Sequence, residues 1–350
     1  MKAPSIICRW GRCLARGVLG LVIGLVTLWV VLAIALSDLP GVWVRRGAAG
    51  VFAVGTIVLF WKCRPRWRAL LIFVAVVTAV IVWWRHRPPA NDRDWKPEVA
   101  VAAHATVTGD QVTIHNIRHL EYRTETDFTP RYYDKTFDVT QLDSVDLISV
   151  YWGSDAIAHV MVSFGFKGKD FVTFSIERRD ERGETYSTWR GLFHQYELFY
   201  VVADERDVIR VRTNYRQPAE DVYLFRTRMP VENQRRLFLD YIRSLNELAA
   251  RPAWYNTLAD NCTTGVLLHT KAYPGRLRYN WKILLSGYTA EYAYELGGLD
   301  SRVPFAELKR LGHVNSRARA ADQAENFSQQ IREGIPLPAP YTMEEFRRQP

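Results

Sequence analysis

Cysteine is scarce in this 350-residue chain, and what little there is lies unevenly. Cys8, Cys13 and Cys63 fall near the N-terminus, and Cys262 stands alone in everything that follows. If the two parts occupy different compartments, as argued below, Cys262 has no intrachain partner on its own side. A structural disulfide is then excluded there, and a lone thiol remains to be explained. Neither HExxH nor Cys-x-x-Cys occurs, and His104, His115, His119 and His194 are scattered, so no metal site is expected. His115 and His119 would share a helix face, but Val112, Ile114 and Ile117 around them favour a strand. A Gly-rich phosphate loop is missing, so no nucleotide or other cofactor is expected. Internal repeats are also absent.

Acidic residues are nearly missing from the first quarter. Up to Lys96 there are 14 Lys and Arg against 3 Asp and Glu, a surplus of 11. The remainder has 32 basic and 34 acidic residues, so the net charge of +9 sits entirely in the N-terminal part. A nucleic-acid-binding domain concentrates Lys and Arg in its folded portion. This chain does not, and nucleic acid is not an expected partner.

The same N-terminal part holds long apolar runs. Gly17 to Leu36 is 20 uncharged residues, enough to cross a hydrocarbon core of about 30 Å. Gly47 to Trp61 and Ala69 to Trp84 are shorter, at 15 and 16 residues. They span if Arg45, Arg46, Arg68 and Arg85 snorkel and Trp61, Trp83 and Trp84 sit at the interface; otherwise they form a re-entrant hairpin. A cleaved signal peptide fits poorly, because the first run exceeds the usual apolar core and more apolar segments follow. Lys2, Arg9, Arg12 and Arg16 precede the first segment, and Lys62, Arg64, Arg66 and Arg68 follow the second, whereas the first connection carries only Arg45 and Arg46 beside Asp38. Positive-inside orientation puts the N-terminus in the cytoplasm and everything after Trp84 outside. The expected organisation is a tail (1–16), a membrane segment (17–84, with spans 17–36, 47–61 and 69–84), a polar linker (85–96), one exported domain (97–316) and a loosely packed polar tail (317–350).

Within the domain, stretches rich in β-branched and aromatic residues predict strands at 111–117, 146–152, 156–166, 171–176, 198–202, 208–213 and 221–225. After Pro230 the period changes to that of a helix over 232–250, with Leu237, Leu239, Ile242, Leu245 and Leu248 at helical spacings. A second helix is expected from Asn261-Cys262 to about Ala272, stopping before Pro274-Gly275. Strands followed by helices predict an α+β domain.

Two features carry chemistry. Asn261 is a good N-cap, which puts Cys262 at a helix start, where the positive helix end favours the thiolate. The competing reading is a buried Cys acting as a small hydrophobe. The second feature is the strand pair around Lys167-Gly168-Lys169. If that is a three-residue hairpin loop, residues whose numbers sum to 336 face each other. Ser163 then pairs with Thr173, Met161 with Ser175 and His159 with Glu177. His159, Met161 and Ser163 lie on one face, opposite Ala158, Val160, Val162 and Phe164. A carboxylate across from an imidazole is the orienting pair of a Cys-His-acid triad, or else an ordinary surface ion pair. Asn261, Tyr255 and Ser175, next to these groups, are the expected substrate contacts. Asp204-Glu205-Arg206-Asp207 reads as a charged turn between two strands.

The runs Ala158 to Phe166, Ser175-Ile176-Glu177, Gly191 to Leu198, Asp204 to Asp207, Tyr255-Asn256-Thr257 and Asn261 to Thr264 resemble the Lnb N-terminal periplasmic domain family of bacteria. The resemblance extends from about Trp95 to Arg317. The order His, acid, then Cys at a helix start is also similar to the circularly permuted papain-like group, which includes lecithin–retinol acyltransferase-like enzymes. That likeness implies a permuted papain-like domain, with an antiparallel sheet and packed helices, in which Cys262 is nucleophile, His159 base and Glu177 the orienting acid. The expectation is a bacterial inner-membrane protein, held by the lipid bilayer, whose periplasmic domain is a thiol hydrolase or acyltransferase acting on an acyl or amide substrate of the cell envelope. The alternative is a non-enzymatic periplasmic binding or assembly module that keeps the fold.

Overall fold

The computed structural model describes residues 6–185, 187–272 and 280–348. It divides into two compact units, residues 1–89 with 187–195, and residues 90–186 with 196–350.

The first unit is built on α1 (Ile6–Ala35), α2 (Val42–Lys62) and α3 (Arg66–Arg85). Pro65 caps α3 and separates it from α2, because proline lacks the N–H that a continuing helix needs. All three helices are long and apolar enough to cross a membrane. The second and third, expected to be short, run to 21 and 20 residues because they extend through flanking Arg, Trp and Lys residues. Twenty residues span about 30 Å. Length therefore no longer favours a hairpin over two spans.

The second unit contains β1 (His104–Thr108), β2 (Gln111–Arg118), β3 (Glu121–Tyr122), β4 (Phe128–Thr129), β5 (Tyr132–Asp138), β6 (Leu142–Tyr151), β7 (Ala158–Phe166), β8 (Asp170–Arg179), β9 (Glu197–Ala203) and β10 (Asp221–Arg226). Its helices are α4 (Glu205–Val208), α5 (Val231–Ala250), α6 (Cys262–His269), α7 (Trp281–Leu284), α8 (Thr289–Glu295), α9 (Phe305–Gly312), α10 (Asn315–Ala320), α11 (Phe327–Gln330) and α12 (Met343–Arg348). The expected stop at Pro274-Gly275 lies outside the described residues.

The main sheet runs β1-β2-β9-β8-β7-β6-β10, with β5 also on β2. Its pairs are antiparallel except for β2 beside β9, so the sheet is mixed rather than purely antiparallel. The fold is α+β, as expected. The β7–β8 register is the one expected: Phe166 faces Asp170, Ser163 faces Thr173 and Met161 faces Ser175. Gly168 sits at φ +62° in the loop between them, a conformation glycine adopts without a Cβ clash.

Both faces of the central strands are covered. Val162, Phe164, Phe174 and Ile176 pack against Leu237, Phe238 and Tyr241 of α5. On the other face, Met161, Val201 and Ala203 meet Val314, Ala318, Phe327 and Ile331. Three expectations need correction here. The strand expected at 208–213 is α4 followed by a widened, π-type turn over Val211–Tyr215. The Asp204 side chain accepts from Arg206 N–H and starts a helix there, overriding the β-branched composition. The linker is shorter than 85–96, since Trp95 is only 5% exposed and the Arg179 guanidinium lies 4.3 Å from its ring centre. Finally, the segment after 316 is not a loose tail. Phe327 and Ile331 are fully buried. Arg332 reaches Asp146 and Glu205 at 2.7 and 2.6 Å. A polar sequence looks loose until its charges find buried partners.

The charged turn at 204–207 is also corrected. Glu205 and Asp207 are both 0% exposed. Asp207 takes two hydrogen bonds from Arg118, at 2.9 and 2.8 Å, and Glu205 accepts from Ser163 and Arg332.

Candidate active site

The first turn of α6 is closed by a capping box. Asn261 Oδ1 accepts from the N–H groups of Thr263 and Thr264, each at 2.9 Å, while Thr264 Oγ1 accepts from Asn261 N–H. Asn261 Nδ2 donates to the Thr257 carbonyl at 2.8 Å. The Asn261 side chain is thus consumed by the cap. It holds the helix start in place, and the expected substrate contact through this residue is not what its geometry provides. Gly265 N–H bonds to the Asn261 carbonyl. In this turn Cys262 N–H is left without an acceptor among the described residues.

Helix α6 lies against β8 at Gly265, where a Cβ would come within 2.5 Å of Ile176 Cδ1. Glycine is what allows the helix to approach so closely, and this approach brings Cys262 to the end of β7. The β7–β8 ladder stops at Met161–Ser175. Just beyond that end come Val160 and His159, both close enough to the Cys262 thiol to draw it below its ordinary value.

His159 Nε2 is 2.6 Å from Ser175 Oγ, and Ser175 Oγ donates to Glu177 Oε1 at 2.6 Å. Nε2 and Glu177 Oε1 are themselves 3.5 Å apart. The expected His159–Glu177 partnership therefore exists, but the serine hydroxyl stands in the middle of it. Because Ser175 gives its hydrogen to the carboxylate, it accepts the one on Nε2. That fixes the tautomer and leaves Nδ1 for the thiol. Ser175, expected to touch substrate, is fully buried and acts as the link between imidazole and acid. Tyr255 N–H bonds to the Tyr196 carbonyl, which ties the loop before α6 to the residue just ahead of β9.

The electrostatics follow from this arrangement. Burial pushes the Cys262 thiol up, but the His159 charge and hydrogen bond outweigh it and bring the thiol below its ordinary value. Burial pushes His159 down, and the Cys262 and Glu177 negative charges overcome it, raising the imidazole to about 9. Burial likewise opposes ionisation of Glu177, yet His159, Arg212 and Arg118 hold its carboxyl well below the usual range. Each group thus shifts toward its charged form: the thiol toward thiolate, the imidazole toward imidazolium and the carboxyl toward carboxylate. Arg212 was not anticipated from the sequence. It sits in the turn read as a strand, and its Nη2 lies 3.5 Å from Glu177 Oε1. The described residues contain no group of three His, Cys, Asp or Glu side chains able to hold a metal.

Fold and site together define a class of protein: an α+β domain, preceded by apolar helices, that sets a cysteine at a helix start beside a strand-borne histidine. Residues 128–287 match the family model of the Lnb N-terminal periplasmic domain, a stretch that includes His159, Glu177 and Cys262. This match and the three apolar helices mark a membrane-anchored protein with a periplasmic domain. No curated protein and no solved structure matches the chain.

Proposed function

We propose that the chain is a thiol hydrolase or acyltransferase, anchored in the bacterial inner membrane, that acts in the periplasm on an acyl or amide substrate of the cell envelope. The carrying observation is the chain Cys262–His159–Ser175–Glu177, in which a hydroxyl fixes the imidazole tautomer and the thiol sits at a helix start. The Cys262 thiolate attacks the substrate carbonyl carbon, and the oxyanion accepts a hydrogen bond from the free Cys262 N–H. His159, protonated at Nδ1, gives that proton to the departing amine or alcohol, leaving a thioester on Cys262. Water, or an acceptor hydroxyl or amine, then loses its proton to Nδ1 and attacks the thioester. The thiolate departs, and the imidazolium–thiolate pair is restored. Glu177, acting through Ser175, stabilises the imidazolium in both halves.

The location reading rests on the Lys and Arg bias across the apolar helices, which favours a cytoplasmic N-terminus. To test the chemistry, the full-length protein in detergent is incubated with a p-nitrophenyl ester and digested for mass spectrometry. An acyl adduct on Cys262 that forms in the wild type, slows in H159A and is missing in C262S supports the reading. A folded wild-type protein whose Cys262 never acylates would instead favour a binding module.

A further inference from the structure

Arg212 is an unusual residue to find behind such a site. It is 6% exposed and is carried by the π-type turn between β9 and β10. Its Nη1 donates to the Val208 carbonyl at 2.6 Å, its Nη2 lies 3.5 Å from Glu177 and its Nε lies 3.7 Å from Glu220. The surrounding charges are otherwise spoken for. Arg216 holds Glu220 at 2.5 Å, and Arg118 is paired with Asp207, which Tyr122 also contacts at 3.1 Å. Glu220 is held by Arg216 as well as by Arg212, so the carboxylate that leans on Arg212 is Glu177, whose other cation is the His159 imidazolium that it must itself support. A buried carboxylate stripped of its counter-charge takes up a proton or turns away. As a neutral acid it donates a hydrogen bond where it formerly accepted one, and the Ser175–His159 link reverses or breaks.

We infer that Arg212 is a positioning residue of this site: anchored on the Val208 carbonyl, it keeps Glu177 charged and aimed at Ser175, and through them supports the His159–Cys262 pair. This inference rests on the thiol-enzyme reading, and the geometry gives it a specific signature. The relay residue that Arg212 contacts is Glu177, at 3.5 Å, so its effect on the thiol is inferred to run through Glu177.

The test is the pH dependence of iodoacetamide alkylation on the full-length protein, read at the Cys262 peptide by mass spectrometry so that the other cysteines do not interfere. An opposite charge within about 4–6 Å lowers a carboxylate's proton affinity by roughly ten- to a thousand-fold. R212Q should therefore raise the alkylation midpoint by about one pH unit. R212K, which keeps a charge but not the fork, should recover most of that change. E177Q should raise the midpoint to a similar extent, and R212Q in the E177Q background should add nothing further. R212M keeps the bulk and replaces R212Q if the latter fails to fold. A purely structural Arg212 would make the two substitutions additive, or leave R212K as impaired as R212Q. Either result, or a midpoint unmoved in both R212Q and R212M, overturns the inference while a low wild-type midpoint leaves the thiol reading standing. A wild-type midpoint near the free-thiol value of about 8.5 overturns both.

Discussion

Replacing Ser175 with alanine is the most direct perturbation of the relay. The hydroxyl makes two hydrogen bonds of 2.6 Å, one to His159 Nε2 and one to Glu177 Oε1. Hydrogen bonds to charged groups contribute roughly 1.5–3 kcal/mol each. Without the hydroxyl, Nε2 and Oε1 face each other at 3.5 Å, about 0.7 Å too far for a good N–H···O bond. Closing that gap requires movement at a position that is fully buried, so at most one of the two bonds is recovered. The net loss is about 1.5–3 kcal/mol of imidazolium stabilisation, equivalent to roughly 1–2 pH units. S175A should raise the Cys262 alkylation midpoint by that amount and lower the His159 imidazolium midpoint from about 9. The readouts are Cys262-peptide alkylation against pH and the titration of the His159 ring proton by NMR. If S175A kept both midpoints within a few tenths of a pH unit while H159A moved the thiol, the serine would be filler and the relay argument wrong.

Other outcomes follow from the same structure. In C262A the His159 imidazole loses the negative charge that holds it up, so its NMR midpoint should fall from about 9 towards or below the ordinary 6.5 while the fold survives. G265A pushes a methyl against Ile176 and should cost about 1–3 kcal/mol in chemical denaturation, with slower Cys262 alkylation as α6 is displaced. R332A leaves Asp146 and Glu205 buried beside one fewer cation and should cost about 3–5 kcal/mol, and truncation after Arg317 should prevent folding of the domain. A phosphatase reporter that works only outside the cytoplasm, fused after Lys96, should be active; an inactive but stably expressed fusion would reverse the assigned orientation.

The hairpin between β7 and β8 shows why some of the site was legible. Side chains in strands alternate with period two, so the three-residue loop at Lys167-Gly168-Lys169 fixes which residues face each other. Ser163–Thr173 and Met161–Ser175 followed from arithmetic alone, and with them the likelihood of His159 meeting Glu177. The helix start at Cys262 was legible for a similar reason, because an N-cap is a local hydrogen-bond decision written in two or three residues.

What the sequence could not express was contact between segments far apart along the chain. Ser175 as a bridge depends on the 3.5 Å separation that β7 and β8 leave between imidazole and carboxylate. Arg212 depends on a turn that strand propensity misassigned, carried by residues far from Glu177 in sequence. The C-terminal segment looked like a solvated tail because composition registers Arg332 as polar, without registering that Asp146 and Glu205 await it inside. By itself the sequence determined three apolar segments, their charge bias, one hairpin register and one capped helix, all set by neighbours within a few residues. Only the tertiary structure decided which buried charges answer one another, because desolvation makes each of them depend on a partner that local sequence does not specify.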